Sequence, residues 1–190
     1  MTQSIRTFIA IEIDPAIQES LNNLQLELKK SGADVKWVKK DNIHLTLKFL
    51  GDTSEENIAT ISTLLARSTG FLPSFSVGIT EAGAFPGIEN PRVIWAGVHD
   101  PQETIAKIAR SLEENLASIG FVKEERDFDP HITLGRVRTS LNKFNLVKSL
   151  KSLKMPPDLL LPIEKITLFK STLTPQGPIY EVLKTVSLKK

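Results

Sequence analysis

One tetrapeptide occurs twice, and it constrains this chain more than any other feature. His44-Leu45-Thr46-Leu47 returns as His131-Ile132-Thr133-Leu134, so each copy reads His, apolar, Thr, Leu. The alternation is that of a half-buried strand, with His and Thr on one face and the two aliphatic residues on the other. Each copy therefore offers an imidazole and a hydroxyl side by side on a surface whose back is anchored in a core. The chain has 3 histidines, and two of them belong to this repeat. An unperturbed imidazole titrates near ~6.5, so two brought together form an acid/base pair near neutral pH.

The segments around the motifs repeat as well. Arg6 and Arg92, Ala10 and Ala96, Asp14 and Asp100, and Pro15 and Pro101 share one offset, and the two motifs share an offset one residue longer. Both halves read strand, helix, motif strand, helix, strand. The spacing predicts one domain over 1–190, built of two pseudo-twofold halves at roughly 1–90 and 91–190. Exchange of terminal strands between the halves stays open at this level. Packing about such an axis would set the two His-Thr faces across one cleft.

Individual elements follow from local chemistry. Arg6 to Ile13 is a strand rich in β-branched and aromatic residues, and Asp14-Pro15 caps a helix whose apolar stripe is Ile17, Leu21, Leu24 and Leu28. Gly32 is its stop. A short strand at Val35 to Val38 and a turn at Asp41-Asn42 lead into the first motif strand, expected to end at Gly51-Asp52-Thr53. Thr53 or Ser54 is expected to cap the next helix, and Gly83 to Pro91 to form a loop, given its breakers. Asp100-Pro101 is read as a second helix start, ended by Gly120, and Ser140 as the cap of a helix carrying Leu141, Phe144, Val147 and Leu150. Strands at Ile163 to Lys170 and Ile179 to Val186 close the chain.

Composition narrows the chemistry. With no cysteine there is no disulfide, thiolate metal site or thiol nucleophile. A net charge of +2 is too small to argue for nucleic acid by itself, although a local basic cleft remains compatible with it. The opening Met1-Thr2-Gln3-Ser4-Ile5-Arg6 lacks a signal-peptide layout, and no apolar run approaches the ~20 residues of a membrane span. A cytoplasmic monomer without cofactor is expected. Two histidines alone make a poor metal site, so no metal is expected, and no nucleophile-elbow sequence occurs. One protonated and one neutral imidazole can serve as general acid and base in a single displacement, while hydroxyls donate to phosphate oxygens. The residues favour acid/base work on a phosphodiester.

These motifs and their flanks resemble the 2H phosphoesterase superfamily, specifically its LigT-like RNA 2′,3′-cyclic phosphodiesterase branch, also called the 2′-5′ RNA ligase family. The matching stretches are Arg6 to Ala10, Trp37 to Gly51, Phe85-Pro86, Pro91 to Trp95, Phe128 to Arg136, Lys170-Ser171, Leu173 and Gly177 to Tyr180. The resemblance implies a bilobal α+β fold with two antiparallel sheets lining a central cleft and helices outside. It implies opening of an RNA 2′,3′-cyclic phosphate to a 2′-phosphomonoester without a metal. His44 would be the general acid and His131 the base, an assignment that rests on the resemblance because the motifs are chemically equivalent. Thr46 and Thr133 would hold phosphate oxygens, Phe49 would stack on a base, and Arg136 would contact phosphate or nucleotide. Strict alternation puts Phe49 and Arg136 on the face opposite their histidines, so the motif strands would have to bend or bulge.

Alternatives with the same site are a small cyclic nucleotide, an ADP-ribose cyclic phosphate, a 2′-5′ linkage or reversible RNA ligation. A rival of another class is a non-catalytic RNA-end binding module. His99 reads as a solvated turn residue, and Trp37 and Trp95 as core or lobe-interface packing. Lys36, Lys39, Lys40 and Lys48 read equally as RNA-steering cations or a solvated face, and the Lys148, Lys151 and Lys154 series as solvent-exposed. Arg6 and Arg92 are open between structural pairing and cleft lining.

Overall fold

The computed structural model describes residues 4–190; residues 1–3, part of the opening used above, lie outside the described residues. The chain runs β1 (Ser4–Glu12), α1 (Pro15–Lys29), β2 (Val35–Trp37) and, after a 3-10 turn, β3 (His44–Ser54). Next come α2 (Ile58–Thr69), β4 (Phe75–Phe85), β5 (Val93–His99), α3 (Thr104–Ala117) and β6 (His131–Val137). It closes with α4 (Lys143–Ser152), β7 (Leu160–Ile163), β8 (Lys165–Thr174) and β9 (Gly177–Ser187). No described helix is long and apolar enough to cross a membrane.

The strands form one antiparallel path, β7-β4-β5-β6-β3-β1-β8-β9, with β2 pairing the later part of β6 along the edge that meets β3. The fold is α+β as expected, but the two expected sheets are joined. β3 and β6 share only the pair Leu45 and Ile132, so two halves of the sheet meet at a narrow seam made by the motif strands. β4 pairs with β5, while β8 pairs with β1, so each half of the sheet takes strands from both halves of the sequence.

Side-chain hydrogen bonds fix the helices behind these halves. In α1 the predicted stripe of Ile17, Leu21, Leu24 and Leu28 is buried. Asp14 caps it by accepting from the Ala16 N–H at 2.8 Å, and Gly32 follows its end with φ +68°. Its buried Gln25 donates through Nε2 to the carbonyls of Val38 and Leu134, tying the helix to the back of β6. Asn115 of α3 donates to Ser68 of α2, and Asn142 before α4 donates to the Gly32 carbonyl. The main core runs beneath both halves, including Leu45, Leu47, Ile132 and Leu134 from the backs of the motifs, and a smaller cluster of Phe8, Ala10 and Phe169 is separate from it.

Several local expectations fail for identifiable reasons. β3 continues past Gly51 to Ser54, because Gly51 takes φ +70° within the pairing to β1 and the Thr53 hydroxyl meets that of Thr7 at 2.8 Å. Neither Thr53 nor Ser54 caps α2; a 3-10 turn intervenes and the capping position falls on Asn57. Gly83 and Phe85 belong to β4 rather than to a loop, since the Trp95 ring lies where a Cβ on Gly83 would be, 2.4 Å from Cζ2. Asp100 does accept a helix N–H, that of Ile105 at 2.7 Å, but α3 begins only at Thr104. Asn142, not Ser140, precedes α4, and the helix buries Leu146 and Leu150 while Leu141 and Phe144 stay exposed. β7 has no counterpart among the expected strands.

Candidate active site

The seam between the two half-sheets is where the motifs meet. Leu45 and Ile132 are directly partnered in an antiparallel pair. In the register this pair sets, His44 stands across from Thr133 and Thr46 across from His131. The two imidazoles and two hydroxyls thus occupy the corners of one patch, all four half-buried on the face opposite the core aliphatics. Among the described residues, neither the Thr46 nor the Thr133 hydroxyl has a protein hydrogen-bond partner, whereas most buried hydroxyls here do.

Just past each Thr, both motif strands bulge at the same place. In β3, Thr46 pairs with Ala10 and Lys48 with Ile9, leaving Leu47 as the extra residue. In β6, Thr133 pairs with Trp95 and Gly135 with Ile94, leaving Leu134 extra. A bulge puts two residues on one side before alternation resumes. Accordingly Leu47 and Lys48 are both buried, as are Leu134 and Gly135. Phe49 and Arg136 then return to the histidine face, both exposed, which removes the conflict that strict alternation raised. The Phe49 ring lies 6.2 Å from that of Phe8, whose ring is 4.9 Å from His44.

Both histidines are held alike. The Nδ1 of His44 lies 2.7 Å from the Asn42 carbonyl oxygen, and that of His131 lies 2.7 Å from the Asp129 carbonyl oxygen. A carbonyl can only accept, so Nδ1 carries the hydrogen in each ring and Nε2 is the end left to exchange a proton. Aromatic rings fix the planes: Phe8 and Tyr180 pack on His44, the latter edge-on at 5.4 Å, and Phe85 packs edge-on to His131 at 5.0 Å. Burial pushes the His44 imidazole below its ordinary pKa, and the hydrogen bond to the Asn42 carbonyl opposes it without overcoming it. Burial raises the Tyr180 phenol, opposed by the nearby charges of Arg136 and Arg6. Arg136 lies on the histidine face past the bulge, and Arg6, two residues before Phe8 on β1, shares the face of Phe8, so both are on the cleft side of the sheet.

The remaining positions sort cleanly. Lys48 is not a steering cation: it lies on the core side, where it donates to Glu113 of α3 and to the Val122 carbonyl, each at 2.7 Å. Lys40 pairs with Glu19 at 2.9 Å, while Lys36 and Lys39 are exposed. Arg92 stands opposite Val137, one step beyond the Val93–Arg136 pair and on the other face, so it does not line the cleft beside Arg136. Trp95 is not core: it is half-buried level with Thr133 on the cleft face, lying over Gly83 and Gly97. Trp37 packs against the core under the Lys29 ammonium. His99 is exposed at the end of β5. Among the described residues no three His, Asp or Glu side chains gather as metal ligands.

A family model described as LigT-like phosphoesterase matches the chain twice, over residues 11–95 and 97–180. The chain belongs to the LigT-like phosphoesterase family. A protein of Thermotoga maritima named RNA 2′,3′-cyclic phosphodiesterase is 37% identical over 94% of this chain and 93% of its own length. Another of that name from Methanothermobacter thermautotrophicus is 34% identical over 97% of this chain and 99% of its own. Among solved structures, Escherichia coli LigT complexed with 3′-AMP matches with a TM-score of 0.83 at 26% identity, covering 99% of this chain and 100% of that one.

In this LigT-like phosphoesterase the residues that hold the histidines escaped sequence reasoning, which named the motif residues, Phe49 and Arg136. Asn42 is the clearest case. Its carbonyl holds His44, and its side-chain amide donates to the Pro178 carbonyl at 2.8 Å, tying the histidine to the β8–β9 hairpin that carries Tyr180. Tyr180, Phe8 and Phe85 sit within stretches already tied to the family, but their contacts with the imidazoles depend on strands far apart in sequence. Only a prediction of strand pairing would have found them.

Proposed function

We propose that this LigT-like phosphoesterase hydrolyses the 2′,3′-cyclic phosphate at an RNA end to a 2′-phosphomonoester, without a metal, using His44 and His131 as acid and base. The register of the seam supports this reading, because it alternates imidazole and hydroxyl around one patch. The names of the relatives point to the same substrate, and the 3′-AMP complex of the Escherichia coli relative fits a nucleotide with phosphate at its 3′ side.

In the proposed reaction Nε2 of His131 takes a proton from water as the water oxygen bonds to phosphorus. The bond from phosphorus to O3′ breaks, and Nε2 of His44 delivers a proton to that oxygen, so a 2′-phosphate and a 3′-hydroxyl remain. Thr46 and Thr133 donate to the non-bridging oxygens as their charge grows. Arg136 adds a charge-assisted contact to phosphate or nucleotide, and Phe49, exposed beside Phe8, offers a face to the base. Deeper burial suits His44 to the acid role. Its imidazolium, formed when the phosphate charge arrives beside it, gives up its proton more readily than an ordinary one. The same reading takes residues 1–190 as one domain of two related halves.

The test is incubation of RNA bearing a terminal 2′,3′-cyclic phosphate with the protein in EDTA, followed by identification of the product. The expected product is the 2′-phosphomonoester at an undiminished rate. A 3′-phosphate, or loss of turnover in EDTA, would overturn the proposal.

A further inference from the structure

We infer that a basic depression where β6 leaves the sheet binds a backbone phosphate of the RNA upstream of its reacting end, a reading that rests on the proposed RNA substrate. The depression has a volume of about 310 Å³ and is lined by Arg92, Arg138 and Lys143 together with Asn90, Thr139 and Ser140. Three cations and two hydroxyls converge there, and no carboxylate lines it. Neither arginine belongs to an ion pair among the described residues, and the Lys143 ammonium donates to the Asn90 amide oxygen. Glu89, close by in sequence, is already paired with Lys151 at 2.5 Å. In a chain of net charge +2 such an uncompensated cluster is a local field for an anion, and its hydroxyls add donors of the kind that phosphate accepts.

Continuity with the cleft selects the occupant. Arg138 lies two residues beyond Arg136, just past the end of β6 at Val137, a reach of about 7 Å for extended chain. Arg92 and Val137 face away from the cleft, so the depression sits over the rim rather than inside it. A strand whose last nucleotide is held between Phe49 and Arg136 would leave the cleft across this rim. One of its preceding phosphates would then reach the three cations. Contacts of this kind position a strand without reading its sequence.

The experiment compares a 2′,3′-cyclic mononucleotide with an RNA oligomer ending in the same cyclic nucleotide, for the native chain and for the double variant Arg92→Gln/Arg138→Gln. The native chain should favour the oligomer in kcat/KM, with an advantage that shrinks as salt rises. The variant should lose on the order of tenfold on the oligomer, keep its mononucleotide turnover, and show a salt slope shallower by roughly 0.7 per lost phosphate contact. Lys143→Gln should show a smaller effect of the same pattern, which keeps the test intact if the double variant folds poorly. Equal losses on both substrates, or no length preference in the native chain, would overturn the inference. Anisotropy of a labelled RNA oligomer reads the same arginine dependence without turnover. Absence of turnover on either substrate, with arginine-dependent binding retained, would instead sink the phosphodiesterase reading and leave the phosphate site standing.

Discussion

His44 and His131 receive the same backbone hydrogen bond but not the same environment. His44 is enclosed by Phe8 and Tyr180, and desolvation lowers its pKa; His131 meets one ring edge, that of Phe85. In the free protein the His44 imidazole should titrate below ~6.5, and addition of inorganic phosphate should move its midpoint upward, as an adjacent anion favours the charged ring. Histidine NMR titration reads both. A midpoint at or above the ordinary value in the free protein contradicts the account. The sign carries into stability: the unfolded chain protonates His44 at higher pH than the folded one, so stability falls as pH drops below ~6.5 until the folded pKa is passed. At this scale the motif residues were legible because alternation alone places His and Thr on one face. The tautomer was not, since the Asn42 and Asp129 carbonyls turn toward the rings only once the preceding turns are folded.

Elements decide where the next residues point. The bulges at Leu47 and Leu134 are invisible to a pattern reading, because a bulge is a property of two paired strands and not of one. The burial of Lys48 is their most telling consequence. Its side chain is 2% exposed and paired with a Glu113 that is 18% exposed, so an ammonium in the motif strand depends on a carboxylate in α3. Lys48→Met should destabilise the fold by about 3 kcal/mol by stranding Glu113, and the double variant Lys48→Met/Glu113→Leu should recover much of that loss. Urea unfolding measures both, and a single variant as stable as the native chain would show that the pair carries nothing. Gly83 teaches the same lesson for β4. The glycine reads as a breaker in isolation, yet it is needed so that Trp95 can lie flat against the strand.

At the scale of the whole molecule, the repeated order of elements foretold an α+β fold with the two motifs close together. The strand pairing adds what spacing could not. β4 joins the half-sheet of β5, β6 and β7, while β8 and β9 join that of β1 and β3, and the halves fuse at a seam of one residue pair. The pairing also corrects the offset. Ala10 stands beside Thr46 but Trp95, not Ala96, stands beside Thr133, so the β1 and β5 repeat is one residue out of step with the sequence identities. Arg6 and Arg92 consequently part company, one toward the cleft and the other over its rim.

If the seam makes one site of two motifs, the histidines must fail together. The most direct test is kcat/KM on RNA with a cyclic-phosphate end for the native chain, His44→Ala, His131→Ala and the double variant. Each single variant should lose ~10²–10⁴-fold, and the double variant should lose little more than the worse single one, because an acid without its base has no displacement to assist. Native-like turnover in either single variant, or losses that multiply in the double one, would contradict the account.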